Sequence, residues 1–277
     1  MTSQRETIGI PHYWRRLSRA AVKQLGEIAW QMARQRGAWK AVKIGFSLLM
    51  WKTANRVLVH SMIRKFEIRS AQVKTVDQAL DLAFSFEYLG STIAPIQVRS
   101  EITALLDIVR DLKPCVVLEI GTAKGGTLFL LTRVVPDGAR LVSVDLPGGL
   151  LGGGYPESML KLMSAFAVGN QEIRFVRSDS HADETRWMVE EACGHRPVDF
   201  LLIDGDHSYK GVKRDYEMYS PIVRKGGIIA FHDICPGPPE NVGGVPEFWV
   251  EVSSSGRSKA IIEDLHQGRC GIGVLFK

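Results

Sequence analysis

A chain of 277 residues, 45% of them hydrophobic, can bury a substantial core, which excludes disorder throughout and leaves room for one large domain with an appendage. The net charge of +5 is unevenly placed: residues 1–75 hold 15 Lys and Arg against 3 Asp and Glu, while the remainder holds 20 against 27. The four cysteines, Cys115, Cys193, Cys235 and Cys270, lie far apart with no C-x-x-C pairing, which argues against a thiolate zinc module and reads as reduced cytosolic thiols.

The start, MTSQRETIGIPHYWRR, places charges before any apolar run and has no small-residue cleavage pattern, so no secretory signal is expected. From residue 10 to about 66 the chain is rich in Ala, Leu, Met, Lys and Arg and lacks Pro after Pro11, so helices are expected. Lys40, Lys43 and Ser47 share one side of a helical wheel and leave a broad apolar face with Trp39, Phe46 and Trp51. Lys52, Arg56, His60 and Arg64 form a drifting i, i+4 ladder. Such an arm suits peripheral contact with an anionic membrane surface, packing on the body, or self-association into a homo-oligomer. Its longest charge-free apolar stretch, Ile44–Trp51, is far shorter than the roughly 20 residues of a spanning helix. The expected location is therefore cytoplasmic, soluble or membrane-peripheral, with no nucleic-acid partner.

From about residue 78 the pattern changes. Ile102, Leu105, Leu106, Val109 and Leu112 recur at helical spacing before Pro114. Then the apolar runs CVVLEI, RLVSVD, IRFVRSD, VDFLLID and GGIIAFHD alternate with helix-forming segments at Leu128–Val134, Ser158–Ala167, His181–Cys193 and Tyr209–Val223. Continuous apolar strands between helices predict an α/β fold: a doubly wound, Rossmann-like, mostly parallel sheet. The terminal KAIIEDLHQGRCGIGVLFK adds two short strands and makes the last one antiparallel, for seven in all. The expected boundary separates a helical arm, 1–77, from this domain, 78–277. In such sheets ligands bind beyond the carboxyl ends of the strands, where this sequence puts its acids.

The first strand runs into LEIGTAKGGT. Gly121 permits a tight turn, and Gly125 allows close approach of a ligand at the next helix. The spacing is not the G-x-G-x-x-G of dinucleotide folds, and Glu119 would repel a pyrophosphate yet can receive the ammonium of an amino-acid ligand. This favours S-adenosylmethionine (SAM) over NAD, although an ordinary strand-to-helix turn would look similar. Asp145 ends the second strand, where an acid can accept from ribose hydroxyls in either cofactor. Asp179 follows the third strand, as an adenine contact or as the N-cap of the helix near His181. Asp204, His232 and Asp233 come from neighbouring strand ends and can converge on one divalent ion.

The runs LEIGTAKGGT, VSVDLPGG, DFLLIDGDHSYKGVKRD, GGIIAFHDI and GVPEFW resemble the class I SAM-dependent methyltransferases. They are most similar to the branch holding cephalosporin-hydroxylase-like proteins and metal-dependent sugar O-methyltransferases of macrolide biosynthesis. The resemblance covers roughly residues 80–277. It implies that Glu119, Gly121, Thr122 and Gly125 hold the methionine part of SAM, with Gln97 also near the cofactor, Asp145 at the ribose and Asp179 near the adenine. It further implies Asp204, His232 and Asp233 as metal ligands and His207 as general base on a small-molecule hydroxyl, with Asp204 assisting. Those relatives usually carry two acids after the fifth strand. His232 replaces one of them here and suits Mn, Fe or Zn better than Mg. The loop Leu146–Ser158, with five glycines, is expected to close over the substrate through Tyr155. The competing readings are an NAD-dependent oxidoreductase, an iron-dependent hydroxylase, and a non-catalytic module that binds a membrane or partner through the arm.

Overall fold

The computed structural model describes residues 57–148, 157–254 and 256–277. The chain divides into two units, Met1–His60 and Ser61–Lys277, and the fold described below is that of the second. The expected helices over residues 10–56 and the closing loop around Tyr155 lie outside the described residues.

Seven strands form one sheet: β1 (Val116–Ile120), β2 (Arg140–Asp145), β3 (Glu172–Arg177), β4 (Val198–Ile203), β5 (Val223–His232), β6 (Ser258–Ile261) and β7 (Ile272–Phe276). Their spatial order is β3-β2-β1-β4-β5-β7-β6. The first five are mutually parallel, and β7 runs antiparallel to both of its neighbours, β5 and β6. The last strand of the chain is thus antiparallel, as expected.

Alternation along each strand divides the apolar side chains between two cores. Val117, Leu141, Phe200 and Leu202 face one side of the sheet. Leu118, Ile120, Val142, Leu201 and Ile203 face the other. Burial on both faces explains why these strands read as unbroken apolar runs. The outer strands differ: Glu172, Arg174 and Arg177 of β3 are exposed, and so are the first three residues of β6, including Lys259.

The helix over residues 57–70 sends Met62 and Phe66 into the first core, so part of the segment assigned by sequence to the arm belongs to this unit. Phe66 is fully buried, with its ring centroid 5.3 Å from Phe86, 5.4 Å from Phe129 and 4.9 Å from Phe166. The helix α1 (Val76–Ser85) begins at Thr75, whose side chain caps Gln78 N–H. The next, α2 (Arg99–Leu112), ends where Lys113 turns left-handed before Pro114. Two further helices frame the site: α3 (Gly126–Thr132) and α4 (Tyr209–Tyr219). The sequence suggests a helix continuing to Val223. Pro221 instead sits in a 3-10 turn over Ser220–Ile222, and Val223 already begins β5.

Glu101 of α2 is buried and accepts hydrogen bonds from Glu263 N (2.9 Å), Gln267 Nε2 (2.8 Å) and Gly271 N (2.8 Å). It therefore anchors the loop before β7. Glu101→Ala would strand these donors and is expected to destabilise the domain by about 2–3 kcal/mol, read as a lower urea midpoint with an unchanged slope.

Candidate active site

The carboxyl ends of β1, β2, β4 and β5 meet at one edge of the sheet. After β1 the backbone turns at Gly121, whose φ of +84° is left-handed. A Cβ there would lie 1.9 Å from the Asp204 carbonyl oxygen, so only glycine lets the β1 turn and the β4 turn abut. Asp204 N donates to Ile120 O at 2.8 Å and closes the same joint. The turn is also held from below: Asp145 Oδ2 accepts from Thr122 N (3.0 Å) and Ala123 N (2.7 Å). One oxygen of the expected ribose acid therefore positions the loop.

Glu119 is buried. Its Oε2 accepts from Thr122 Oγ1 at 2.6 Å, Thr122 Oγ1 lies 2.7 Å from Ser143 Oγ, and Glu119 Oε1 has no hydrogen-bond partner. Burial pushes the Glu119 carboxyl up to about 8 against the lowering effect of the Thr122 hydroxyl, and the nearby Asp204 and Asp145 carboxylates add to the rise. Gln97 donates to Thr127 Oγ1 at 3.1 Å, and its buried Oε1 is also unpartnered. Gly125, likewise left-handed, precedes α3. Unpartnered acceptors beside a glycine turn suit a ligand that carries hydrogen-bond donors and a cation.

The second cluster lies across the Gly121–Asp204 joint. His232 Nδ1 is 3.2 Å from Asp204 Oδ1 and 3.4 Å from Asp233 Oδ2. His207 Nδ1 is 3.2 Å from Asp233 Oδ2, and its Nε2 is 3.5 Å from Asp204 Oδ1. All four residues named from the sequence are thus brought together. Asp204, His207 and Asp233 offer ligand atoms that lie within 4.8 Å of one another. Burial works to raise the Asp204 carboxyl, but His232 and His207 hold it well below the usual carboxylate range. Asp204 in turn raises His207, and it raises His232 against the effect of burial. Two imidazoles facing two carboxylates balance as ion pairs, and a dication entering the cluster would exchange for their protons. The donor set therefore fits a divalent ion. His207 is fixed through its backbone, since its carbonyl accepts from Gly244 N at 2.8 Å and a Cβ on Gly243 would lie 2.1 Å from that oxygen.

Residues 118–234 match the family model described as a methyltransferase domain. That match covers the segment from the end of β1 to just past the end of β5, which carries Glu119, Asp145, Asp204, His207, His232 and Asp233. Among curated proteins, an uncharacterized protein of Acanthamoeba polyphaga mimivirus is 31% identical over 116 residues, which are 42% of this chain and 50% of that protein. The chain spans half or less of the curated relatives it matches. A structure from Staphylococcus aureus, assigned as a caffeoyl-CoA O-methyltransferase, is 15% identical with a TM-score of 0.51, covering 78% of this chain and 99% of that one. An O-methyltransferase from Streptomyces achromogenes in complex with SAM is 17% identical with a TM-score of 0.49, over 76% of this chain and 94% of that one. The likeness to the Staphylococcus aureus structure is one of fold, a mostly parallel sheet with helices on both sides.

Within the matched segment the structure also places residues that the sequence did not single out. Asp215 of α4 is fully buried, and its Oδ1 lies 3.4 Å from His181 Nε2. Asp215 raises His181 above its ordinary value against the effect of burial. The pair ties the segment after β3 to α4, which directly follows the Asp204–His207 turn. Asp179 is exposed and its Oδ1 accepts from His181 N at 2.9 Å; Ala182, not Asp179, stands at the start of the following helix. That corrects the N-cap reading, because the acid closes a two-residue turn before the helix begins. The Gly243–Gly244 clamp on His207 had a sequence signal, since paired glycines before an apolar helix mark a close backbone approach. Among the described residues no helix is long and apolar enough to cross a membrane.

Proposed function

We propose that this chain transfers the methyl group of SAM to a hydroxyl oxygen of a small-molecule acceptor, such as a sugar or another natural-product-like alcohol. The observation that carries the reading is the Gly121–Asp204 joint, which sets the Glu119 turn directly against the turn bearing Asp204 and His207. Glu119 with its unpartnered Oε1, Thr122 and the glycines fit the methionine part, Asp145 the ribose, and Gln97 and Asp179 the outer cofactor surface. SAM supplies an electrophilic methyl on a sulfonium that leaves as a neutral thioether. What remains for the protein is to orient the acceptor oxygen and take up its proton. His207, placed between Asp204 and Asp233, is the residue assigned as base, a role it takes in its neutral form, once a dication on the two carboxylates has displaced its proton. Asp204, His232 and Asp233 would hold a divalent ion, whose Lewis acidity makes a hydroxyl easier to deprotonate.

Calorimetric titration of the purified chain with SAM, and in parallel with NAD, tests the reading. Micromolar binding of SAM alone is expected. Binding of NAD alone would reverse the assignment to an oxidoreductase.

A further inference from the structure

The mechanism uses His232 and Asp233 but leaves a third buried residue beside them unassigned. His232, Asp233 and Cys270 each offer a ligand atom within 4.8 Å of the other two, and all three are buried. Cys270 N donates to Asp233 Oδ1 at 2.9 Å, so the thiol-bearing residue and the carboxylate are locked together. Both stand in the left-handed region, Asp233 at φ +60° and Cys270 at φ +58°, a conformation costly for residues with a Cβ.

A second observation concerns the imidazole. His232 is 4% exposed; its Nδ1 faces the Asp204 and Asp233 carboxylates, and its Nε2 has no nitrogen or oxygen partner, only the Cys270 thiol beside it. A thiol is a weak hydrogen-bond partner for a buried ring nitrogen, so the pair is poorly satisfied without a further ligand. An imidazole whose other nitrogen is held by a carboxylate is the usual state of a histidine that binds metal.

We propose that His232, Asp233 and Cys270 form a thiolate-containing site for a borderline-soft dication of the zinc, iron(II) or cobalt(II) class, and that this site discriminates against magnesium. Sulfur and imidazole ligands favour such ions, whereas magnesium prefers an all-oxygen set. Bonds of about 2.3 Å to sulfur and about 2.0–2.1 Å to imidazole place neighbouring ligand atoms roughly 3.5 Å apart, so the three groups need to draw in only slightly. Binding releases one proton from the Cys270 thiol and one from the His232 imidazolium to solvent, and needs no oxidant or reductant.

The test uses the full chain stripped with chelator and free of SAM, so its outcome does not depend on the proposed methyl transfer. Titration with Co2+ is expected to give a near-ultraviolet sulfur-to-cobalt charge-transfer band that saturates at one equivalent. Zn2+ should displace it, and a hundredfold excess of Mg2+ should leave it in place. Cys270→Ser should lose the band, and Cys115→Ser, altered at an exposed cysteine, should keep it. Should Cys270→Ser fail to fold, X-ray absorption of zinc-loaded wild-type protein decides the matter through one sulfur neighbour at about 2.3 Å. No band in the wild type, a band unchanged in Cys270→Ser, displacement by Mg2+, or a zinc shell of nitrogen and oxygen only would each overturn the proposal.

Discussion

Replacing His207 with alanine is expected to lower the turnover of methyl transfer by about 10²–10⁴-fold, the range of a positioned general base, and to leave the SAM dissociation constant within a few-fold of wild type. The separation of the two effects follows from the geometry. His207 sits on the far side of the Gly121–Asp204 joint from Glu119 and Thr122, and its backbone is clamped by Gly244, so loss of the ring leaves the cofactor loop intact. The measurement is a steady-state assay on whichever hydroxylated acceptor a screen first reveals, paired with SAM calorimetry. Unchanged turnover in a variant that binds SAM normally would remove His207 from the chemistry.

Glu119→Gln should act in opposite directions on stability and on binding. In the free domain the carboxyl is raised to about 8 from an ordinary 4.5, mainly by burial, so the folded state holds a proton that the unfolded state releases. The corresponding stability is fully present below pH 4.5, declines as pH rises from there, and is lost once pH passes about 8. The amide has no such penalty. Above pH 5 the variant is therefore expected to gain on wild type, reaching a few kcal/mol by pH 8, read as the difference between two curves of melting temperature against pH. SAM affinity should fall by two orders of magnitude or more, about 3 kcal/mol, because a buried cation loses its counter-charge. The wild type adds a check of its own. An ammonium beside Glu119 favours the anion, so SAM binding at pH 7 should release close to one proton, detected as a dependence of the binding heat on the ionisation enthalpy of the buffer. No proton release, with undiminished affinity in Glu119→Gln, would place the SAM ammonium elsewhere.

Much of this site is legible in the sequence for a physical reason. Strands buried on both faces must be largely apolar, so the polar residues at the end of each run mark the edge where ligands bind, and Glu119, Asp145, Asp204, His232 and Asp233 all stand in or just after the last two residues of a strand. The groups that escaped detection are those whose partners are distant in sequence. Glu101 and Asp215 lie on helices where an acid ordinarily faces water, and nothing local shows that Glu101 meets Gly271 or that Asp215 meets His181. Cys270 is similar: a lone thiol carries no spacing, and only the pairing of β7 with β5 brings it beside His232. Asp179 shows the opposite difficulty, because local turn chemistry and a ligand contact call for the same residue type.

The outer strands of the sheet carry a consequence for behaviour in a crowded solution. An unpaired strand edge is a template on which a second molecule can extend the sheet. Here β3 presents Glu172, Arg174 and Arg177, and β6 is four residues long with Lys259 near its start. Adding a strand to either side would desolvate those charges or offer a ladder too short to hold. Among the described residues, both ends of the sheet thus disfavour the addition of a further strand.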